Sequence, residues 1–496
     1  TDSTRRQIRG PVSMAKDKAI QSLVPAGATL VVSALLLRRW WRSRKEPPSF
    51  QMGLPVFGPI IQFLKDPMEL IRLGYQKMGG IFKVNFLAMD MVYLVGSEGQ
   101  EFFFTSDKYL DQAKMYKFTV PIFGPKVLYD VDYSTRTCQL RFIRERLTDS
   151  YIRSYTSTLE EEVVQFFDEC WGDNGTCCIR ESMQELLTRT SIRCLMGHEL
   201  RVAMTATKPG ERSIVEMLHI LEKGMLPMSV FWPHAPIKRH RERDQARREI
   251  HEMIKPILDQ RRAKADKTEK DFMQSVLNSS YPDGRAITDE EIVGFLIAAF
   301  FGGMHNSAIT TSWSTLEVFS RPELVQELLE EQRQALGSDT EPFTFAAYEK
   351  MKKLRAAVSE VLRMHAPLFL LMRTVEQDVD FKGYTIRAGN VVACSPNVSH
   401  MLDDCYAKAK TFDPKRFING IEDEFNFISF GGGRRVCKGQ EFGYLQVLCA
   451  ISHMLRHYDI ECIDGVPPPT IAQDGMVIAP MQPSRVQYKR KASVKK

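Results

Sequence analysis

The sequence predicts a mainly α protein with small β-sheets, held to a membrane by a single N-terminal transmembrane helix. Three observations predict this. Helical patterning runs through long stretches, at 151–171, 179–196 and 289–319, with a highly charged helical stretch at 239–267. Strand-like alternation is confined to short runs, the clearest at 81–95 with Val84, Phe86, Val92 and Leu94. Residues 19–37 are nineteen positions without a charged side chain, just enough to cross a bilayer as a helix.

Read from the N-terminus, the chain divides into a basic segment (1–18), the anchor (19–37), a basic and proline-rich linker (38–60) and one large domain (61–496). The anchor runs into Arg38, Arg39, Trp40, Trp41 and Arg42, side chains suited to the membrane interface. A secretory signal would end in a small-residue cleavage site instead. Basic residues flank the anchor on both sides, so charge alone does not orient it. The chain begins with Thr1 rather than Met, as a fragment or a processed form would. Residues 1–45 hold ten Lys/Arg and two Asp/Glu, whereas the remainder holds 57 and 59. The formal net charge of +6 therefore belongs to the N-terminus. With no aromatic-studded basic patch, nucleic acid is not an expected partner. Pro47, Pro48, Pro55 and Pro59 predict a stiff, helix-free connector. The ten cysteines include no CxxC pair, which suits a reducing compartment.

Thr288-Asp-Glu-Glu291 reads as a capping box that opens a long apolar helix reaching Phe319. Gly302 and Gly303 interrupt that helix, each costing about 1 kcal/mol relative to Ala. Bearing this cost beside His305 and Asn306 points to a groove where a ligand meets the backbone. Close helix–helix packing is the competing reading.

Segment 430–439 reads Phe-Gly-Gly-Gly-Arg-Arg-Val-Cys-Lys-Gly. One cysteine, Cys437, sits in a glycine-rich turn ahead of a helical pattern. A thiolate bound to haem iron needs such a setting: an ionised, immobile sulfur approached by backbone N–H groups and shielded from water. The glycines, Gly431 among them, let the backbone fold under the sulfur, and Phe430 can cover it. Arg435 can reach a haem propionate. The other nine cysteines are expected to be small buried hydrophobes.

Phe, Gly, Arg, Cys and Gly at these spacings are the cysteine-ligand signature of the cytochrome P-450 family, which this chain resembles. Glu360-Val-Leu-Arg363 and Phe412-Asp-Pro-Lys-Arg416-Phe417 are similar to that family's Glu–Arg–Arg network, which braces the cysteine loop. Central helix, Glu360 with Arg363, Arg416 and Cys437 follow in the family's order, and the resemblance covers residues 50–490. It implies the P-450 fold, with the central helix over haem b (iron protoporphyrin IX) and Cys437 as the metal ligand.

Within that family, 116–130 resembles the substrate loop of sterol 14α-demethylases. Gly303-Met-His-Asn-Ser307 resembles their Gly-x-His-Thr-Ser motif, and 367–373 and 427–445 are also similar, nearest in pattern to plant- and protist-type members. The resemblance implies an endoplasmic reticulum monooxygenase of sterol biosynthesis, single-pass, with its catalytic domain in the cytosol and expected as a monomer. It would oxidise a 14α-methyl group stepwise with dioxygen, releasing formate and leaving a ring double bond. Electrons would come from NADPH through cytochrome P-450 reductase, for which Arg434, Lys438 and the basic run 350–355 offer a docking face. Azole-type inhibitors should ligate the iron.

The same resemblance assigns roles. Tyr116, Tyr129, Arg373, Arg435 and, more weakly, Arg141 would hold the propionates. Phe118, Phe123, Leu128, Phe301, Leu368, Leu370, Met372, Met476 and Val477 would line a flat apolar slot. Phe at 118 favours 4-monomethyl sterols such as obtusifoliol over lanosterol-like 4,4-dimethyl sterols. His305 pairs with an acid, here Glu222, as a proton entry. At position 306 the family has Thr, whose hydroxyl helps deliver protons for O–O cleavage. Asn306 can donate a hydrogen bond but does not relay a proton, and Thr310, one turn on, could help only through water. That departure keeps two alternatives open: a divergent P-450 that hydroxylates elsewhere or isomerises peroxides, and a haem-containing sterol-binding protein without turnover.

Overall fold

The protein is organised around one helix, Asp289–Phe319, whose side chains are buried on every face along most of its length. Its capping box forms as the sequence predicts: Glu291 N donates to Thr288 Oγ1, and Thr288 N donates to the Glu291 carboxylate. Its second half is rich in hydroxyls yet lies in the core. Thr310, Thr311, Ser312 and Thr315 each donate to the carbonyl four residues back, which removes their desolvation cost. Gly302 and Gly303 do not break the helix, since neighbouring contacts outweigh their propensity cost.

The computed structural model describes residues 45–492, except 54–56, 87–88, 205–211, 227–228, 230–231, 265–270, 422 and 472–476. The anchor expected at 19–37 and the slot residue Met476 lie outside the described residues.

Helices Ile179–Ser191 and Gln440–His457 pack on the central helix, as does Lys352–Met364, which carries Glu360 and Arg363. Strands are few and short. One five-stranded sheet has the order Ile81–Phe86, Met89–Leu94, Val391–Cys394, Leu371–Val375, Leu110–Asp111. Its first pair, with Ile81 opposite Leu94, falls in the stretch 81–95 expected to be strand-like and divides it into two antiparallel strands. The helices expected at 151–171 and 179–196 form as Asp149–Phe166 and Ile179–Ser191. Each continues as a π-helical turn, Phe167–Trp171 and Ile192–Met196.

The linker differs from expectation. Lys83 N donates to Pro48 O and Phe50 N to Lys83 O, so this stretch runs along the sheet edge and buries Phe50. A helix, Phe57–Lys65, then begins inside the predicted connector. Pro59 is tolerated because it lies in the first turn, where its missing N–H has no helical partner to lose. The domain body therefore reaches into the predicted linker.

Candidate active site

The cysteine loop is drawn tight by its backbone. Cys437 N donates to Phe430 O at 2.8 Å, closing the turn around Gly433–Arg435. Gly431 (φ 73°) and Gly433 (φ 59°) take left-handed conformations that side chains resist. A Cβ on Gly433 would also lie 2.8 Å from the Phe104 carbonyl oxygen, so the loop is pressed onto helix Ser97–Thr105. The Phe430 ring rests against Tyr444, centroids 5.3 Å apart. Burial pushes the Cys437 thiol up, partly offset by the Gly439 N–H and by Lys438. Yet the Cys437 side chain is exposed. The thiol is thus packed round by protein yet accessible on one side. A cation at the sulfur would favour the thiolate.

The central helix, otherwise largely buried, carries one short open stripe. Gly302 is exposed, and Phe301, His305 and Asn306 are half-buried. A Cβ on Gly302 would meet nothing within 4 Å, whereas one on Gly303 would come 3.1 Å from Leu195. The two readings of this glycine pair thus divide between them: Gly302 leaves room for a ligand, and Gly303 serves helix packing. The same crossing brings Phe442 and Gly443 of the cysteine helix onto Gly303 and Ser307. That contact sets the helix that follows the Cys437 loop against the central helix next to the Gly302–Asn306 stripe. His305 Nδ1 lies 2.9 Å from Glu222 Oε1, and His305 Nε2 is buried without a partner. Thr310 Oγ1 donates to the Asn306 carbonyl at 2.8 Å. Its proton is therefore engaged, and the hydroxyl is free only to accept.

A cationic cluster closes one end. Arg373 Nη1 bonds Phe103 O and Asp107, Arg435 Nε lies 3.4 Å from Asp107, and Arg136 Nη2 lies 3.3 Å from Asp111. Tyr116 and Tyr129 stack beside them with centroids 5.2 Å apart. Burial pushes both hydroxyls up. Three guanidinium groups face two carboxylates. Burial and then the neighbouring Arg435 pull Arg373 below its usual range, and Arg136 Nη1 is buried without a partner. Each sign marks a place short of negative charge, which the two propionates of a haem would supply. The residues present thus fit the group at both ends: a thiol accessible on one side, and unpaired donors for carboxylates.

Arg141 needs correction. It is exposed and faces Glu145 of its own helix, Tyr133–Glu145. The inward face of that helix carries Arg136, Gln139 and Phe142, at three-residue steps. Arg141 falls about 140° from Arg136 at 100° per residue. That periodicity was available in the sequence and marks Arg136, which sequence reasoning passed over.

The slot residues come from four segments. Leu368 pairs with Val477 in an isolated antiparallel bridge, and Ile478 N donates to Pro367 O. Phe118, Leu128, Leu370 and Val477 are buried, Phe123, Phe301 and Met372 half-buried, and Leu368 exposed. Leu128 has φ 49°, a costly conformation for a bulky side chain. Gln139 holds it, accepting from Leu128 N and donating to Lys126 O. This loop lies directly on the central helix. A Cβ at Gly294 would come within 2.2 Å of the Phe123 carbonyl oxygen and 2.7 Å of Val127. We expect Gly294→Ala to lower stability by about 1–3 kcal/mol and to displace the loop. Denaturant unfolding checks the first effect, and weakened sterol binding the second.

Beneath the cysteine loop, Arg363 Nε and Nη2 bond the two oxygens of Glu360 at 2.7 and 2.8 Å, and both side chains are fully buried. Asp413 N donates to the same carboxylate, and Arg416 Nε lies 3.5 Å from it. Sequence spacing foresaw these three residues. It did not foresee His400, which joins them to the loop.

Comparison with known proteins agrees with this architecture. The cytochrome P-450 family model matches residues 47–489. The chain is 34% identical to a sterol 14-demethylase of Arabidopsis thaliana over 96% of its length and 98% of the relative's. It is 34% identical to an obtusifoliol 14-alpha demethylase of Triticum aestivum over 90% and 98%, and 30% identical to the lanosterol 14-alpha demethylase of Homo sapiens over 90% and 87%. The solved structure of retinoic acid bound cyanobacterial CYP120A1 superposes with a TM-score of 0.78 over 90% of this chain and 99% of that one. At 19% identity it speaks for the fold alone. With the cysteine loop, the open helix stripe and the buried Glu–Arg pair in place, the chain belongs to the cytochrome P-450 family, in its sterol 14-demethylase branch.

Proposed function

We propose that this protein removes the 14α-methyl group of a sterol by successive oxidations, releasing formate. One observation carries the reading. The loop 123–128 packs on the central helix at Gly294, and Ile478, next to the Leu368–Val477 bridge, meets it at Trp313, so apolar residues stand on both sides, along the helix, of the stripe left open by Gly302. This fits a flat apolar substrate. The 34% identity to plant sterol and obtusifoliol demethylases supports the substrate class. Haem held by Cys437 supplies the oxygen-activating chemistry when bound. The chain's own work is to orient the sterol, to keep water from the slot and to move protons. Tyr116, Tyr129, Arg136, Arg373 and Arg435 hold the propionate end. Glu222 orients His305, leaving its Nε2 to pass a proton. Phe118 is buried at the slot and supports a 4-monomethyl sterol such as obtusifoliol.

The partners follow the same logic. Arg434, Lys438, Lys350, Lys352 and Lys353 are exposed near the cysteine loop and suit an acidic reductase face. Arg355 does not belong with them: it is bound to Glu441 and lies over the Tyr444 ring. Helix Phe57–Lys65 exposes Phe57, Ile61 and Leu64 at 59, 62 and 73%, an apolar face that suits an endoplasmic reticulum membrane.

Turnover with NADPH and cytochrome P-450 reductase tests the reading. We expect formate and the 14-desmethyl product, faster from obtusifoliol than from lanosterol, and none from Cys437→Ser. Absence of product from both sterols would overturn it. Asn306 favours one second reading, an oxygen-independent peroxide isomerase. Turnover of a peroxide without reductase would support that instead. A sterol-induced spectral shift without any product would indicate a sterol-binding protein.

A further inference from the structure

We infer that His400 is a positioning residue, tying the buried Glu360–Arg363 pair to the cysteine loop and so holding the Cys437 sulfur in place. His400 caps the short helix Pro396–Ser399 and is fully buried. Its Nδ1 lies 3.0 Å from the Arg363 carbonyl oxygen, and its Nε2 lies 3.0 Å from the Ile428 backbone nitrogen. A carbonyl can only accept and a backbone N–H can only donate. These partners leave a single form of the ring, a neutral imidazole with its proton on Nδ1. Arg363 returns the bond, its Nη1 donating to the His400 carbonyl at 2.7 Å. The ring stacks on Phe427 at 6°, centroids 5.8 Å apart. Burial favours the neutral form, pushing the imidazole down to about 3.

The path then continues to the sulfur. Gly431 N donates to Ile428 O, and Cys437 N donates to Phe430 O. Beyond each other, the Glu360 and Arg363 side chains end on His400, Met401, Thr411, Asp413 and Arg416, all upstream of the loop. Ser429 Oγ adds a parallel tie to Leu362 O at 2.7 Å. His400 is thus the side chain through which the arginine clamp reaches the loop backbone. An imidazolium could not take its place, because it has no lone pair for the Ile428 N–H.

The test uses the full chain loaded with haem. His400→Phe keeps a ring on Phe427 but makes neither bond, while His400→Gln keeps one donor and one acceptor. The reduced carbon monoxide complex absorbs at different wavelengths with a thiolate and with a neutral thiol ligand. We expect folded H400F to lose much of the thiolate signature and to hold haem about tenfold more weakly. H400Q should recover part of both. A merely structural role would lower the unfolding midpoint of both variants and leave the thiolate signature of the folded fraction intact, and that result would overturn the inference. Should H400F not fold, nitrogen NMR of wild-type holoprotein labelled at histidine, in the diamagnetic carbon monoxide form, decides the matter. Assigned against H400Q, the His400 ring should be neutral and protonated on Nδ1 at neutral pH. An Nε2-protonated or charged ring would refute the bridge.

Discussion

Glu360→Ala is expected to yield a protein that retains little haem and unfolds far more readily. Glu360 and Arg363 are both fully buried, and each Glu360 oxygen accepts from the Arg363 guanidinium. Removing one partner strands a charge in the core, which costs about 3–5 kcal/mol. Asp413 N loses its acceptor as well, adding about 1–3 kcal/mol. Against a typical total of about 5–15 kcal/mol, this is most of the stability of the region. Glu360→Gln keeps an acceptor and should fall between. A double replacement of Glu360 and Arg363 by apolar residues should recover part of the stability, because no charge is left unpaired. It should not recover haem binding, because the carbonyls of His400 and Thr411 lose their donor. Denaturant unfolding and haem content per chain read the two effects separately. Unchanged haem content in Glu360→Ala would sink the brace.

Asn306→Thr is expected to speed product formation by about 10²-fold, if a positioned proton donor contributes at the low end of its usual range, and to move the product formed per NADPH consumed toward its stoichiometric limit. Asn306 stands one turn from Gly302 on the open stripe, where a small hydroxyl would meet the ligand space. Its amide can donate but cannot relay. The nearest substitute on the helix is not available as a donor, because Thr310 Oγ1 already donates to the Asn306 carbonyl. Asn and Thr have similar helix propensities, so the exchange should scarcely move stability and the change can be read as chemistry. The ratio of formate to NADPH, with peroxide release measured alongside, is the check. An unchanged ratio would mean that Asn306 does not limit proton supply. The His305–Glu222 pair would then carry it, and Glu222→Gln should slow turnover instead.

Much of this was legible in the chain. The cysteine loop, the capping box at Thr288, and the spacing of Glu360, Arg363 and Arg416 depend on residues near one another in sequence or on motifs with few alternatives. Strand alternation at 81–95 reports a real pair of strands, although both faces are buried: Phe82, Val84, Met91 and Tyr93 join one apolar cluster and Ile81, Val92 and Leu94 another. The errors share a cause. Arg141 is a candidate by its charge and its place in the next helix, but helical phase decides which arginine of that helix faces inward. The proline-rich stretch after 46 reads as a stiff, helix-free connector, but its backbone groups pair with Lys83 at a sheet edge that no local pattern announces.

By itself, then, the sequence determined the ligand chemistry, the central helix and the departure at Asn306, since each is written in residue identity at short range. Only the tertiary structure decided which glycine of the pair at 302 and 303 makes room for a ligand and which serves packing. It alone showed that Thr310 has spent its proton, that Leu128 is held in a strained conformation by Gln139, and that His400 bridges two segments 28 or more residues away. The Thr310 bond is local, a rotamer choice within one helix, but for the glycine pair, Leu128 and His400 the physical reason is the same. Hydrogen-bond partners and close approaches across the core depend on where distant backbone comes to lie, and a one-dimensional pattern carries no record of that.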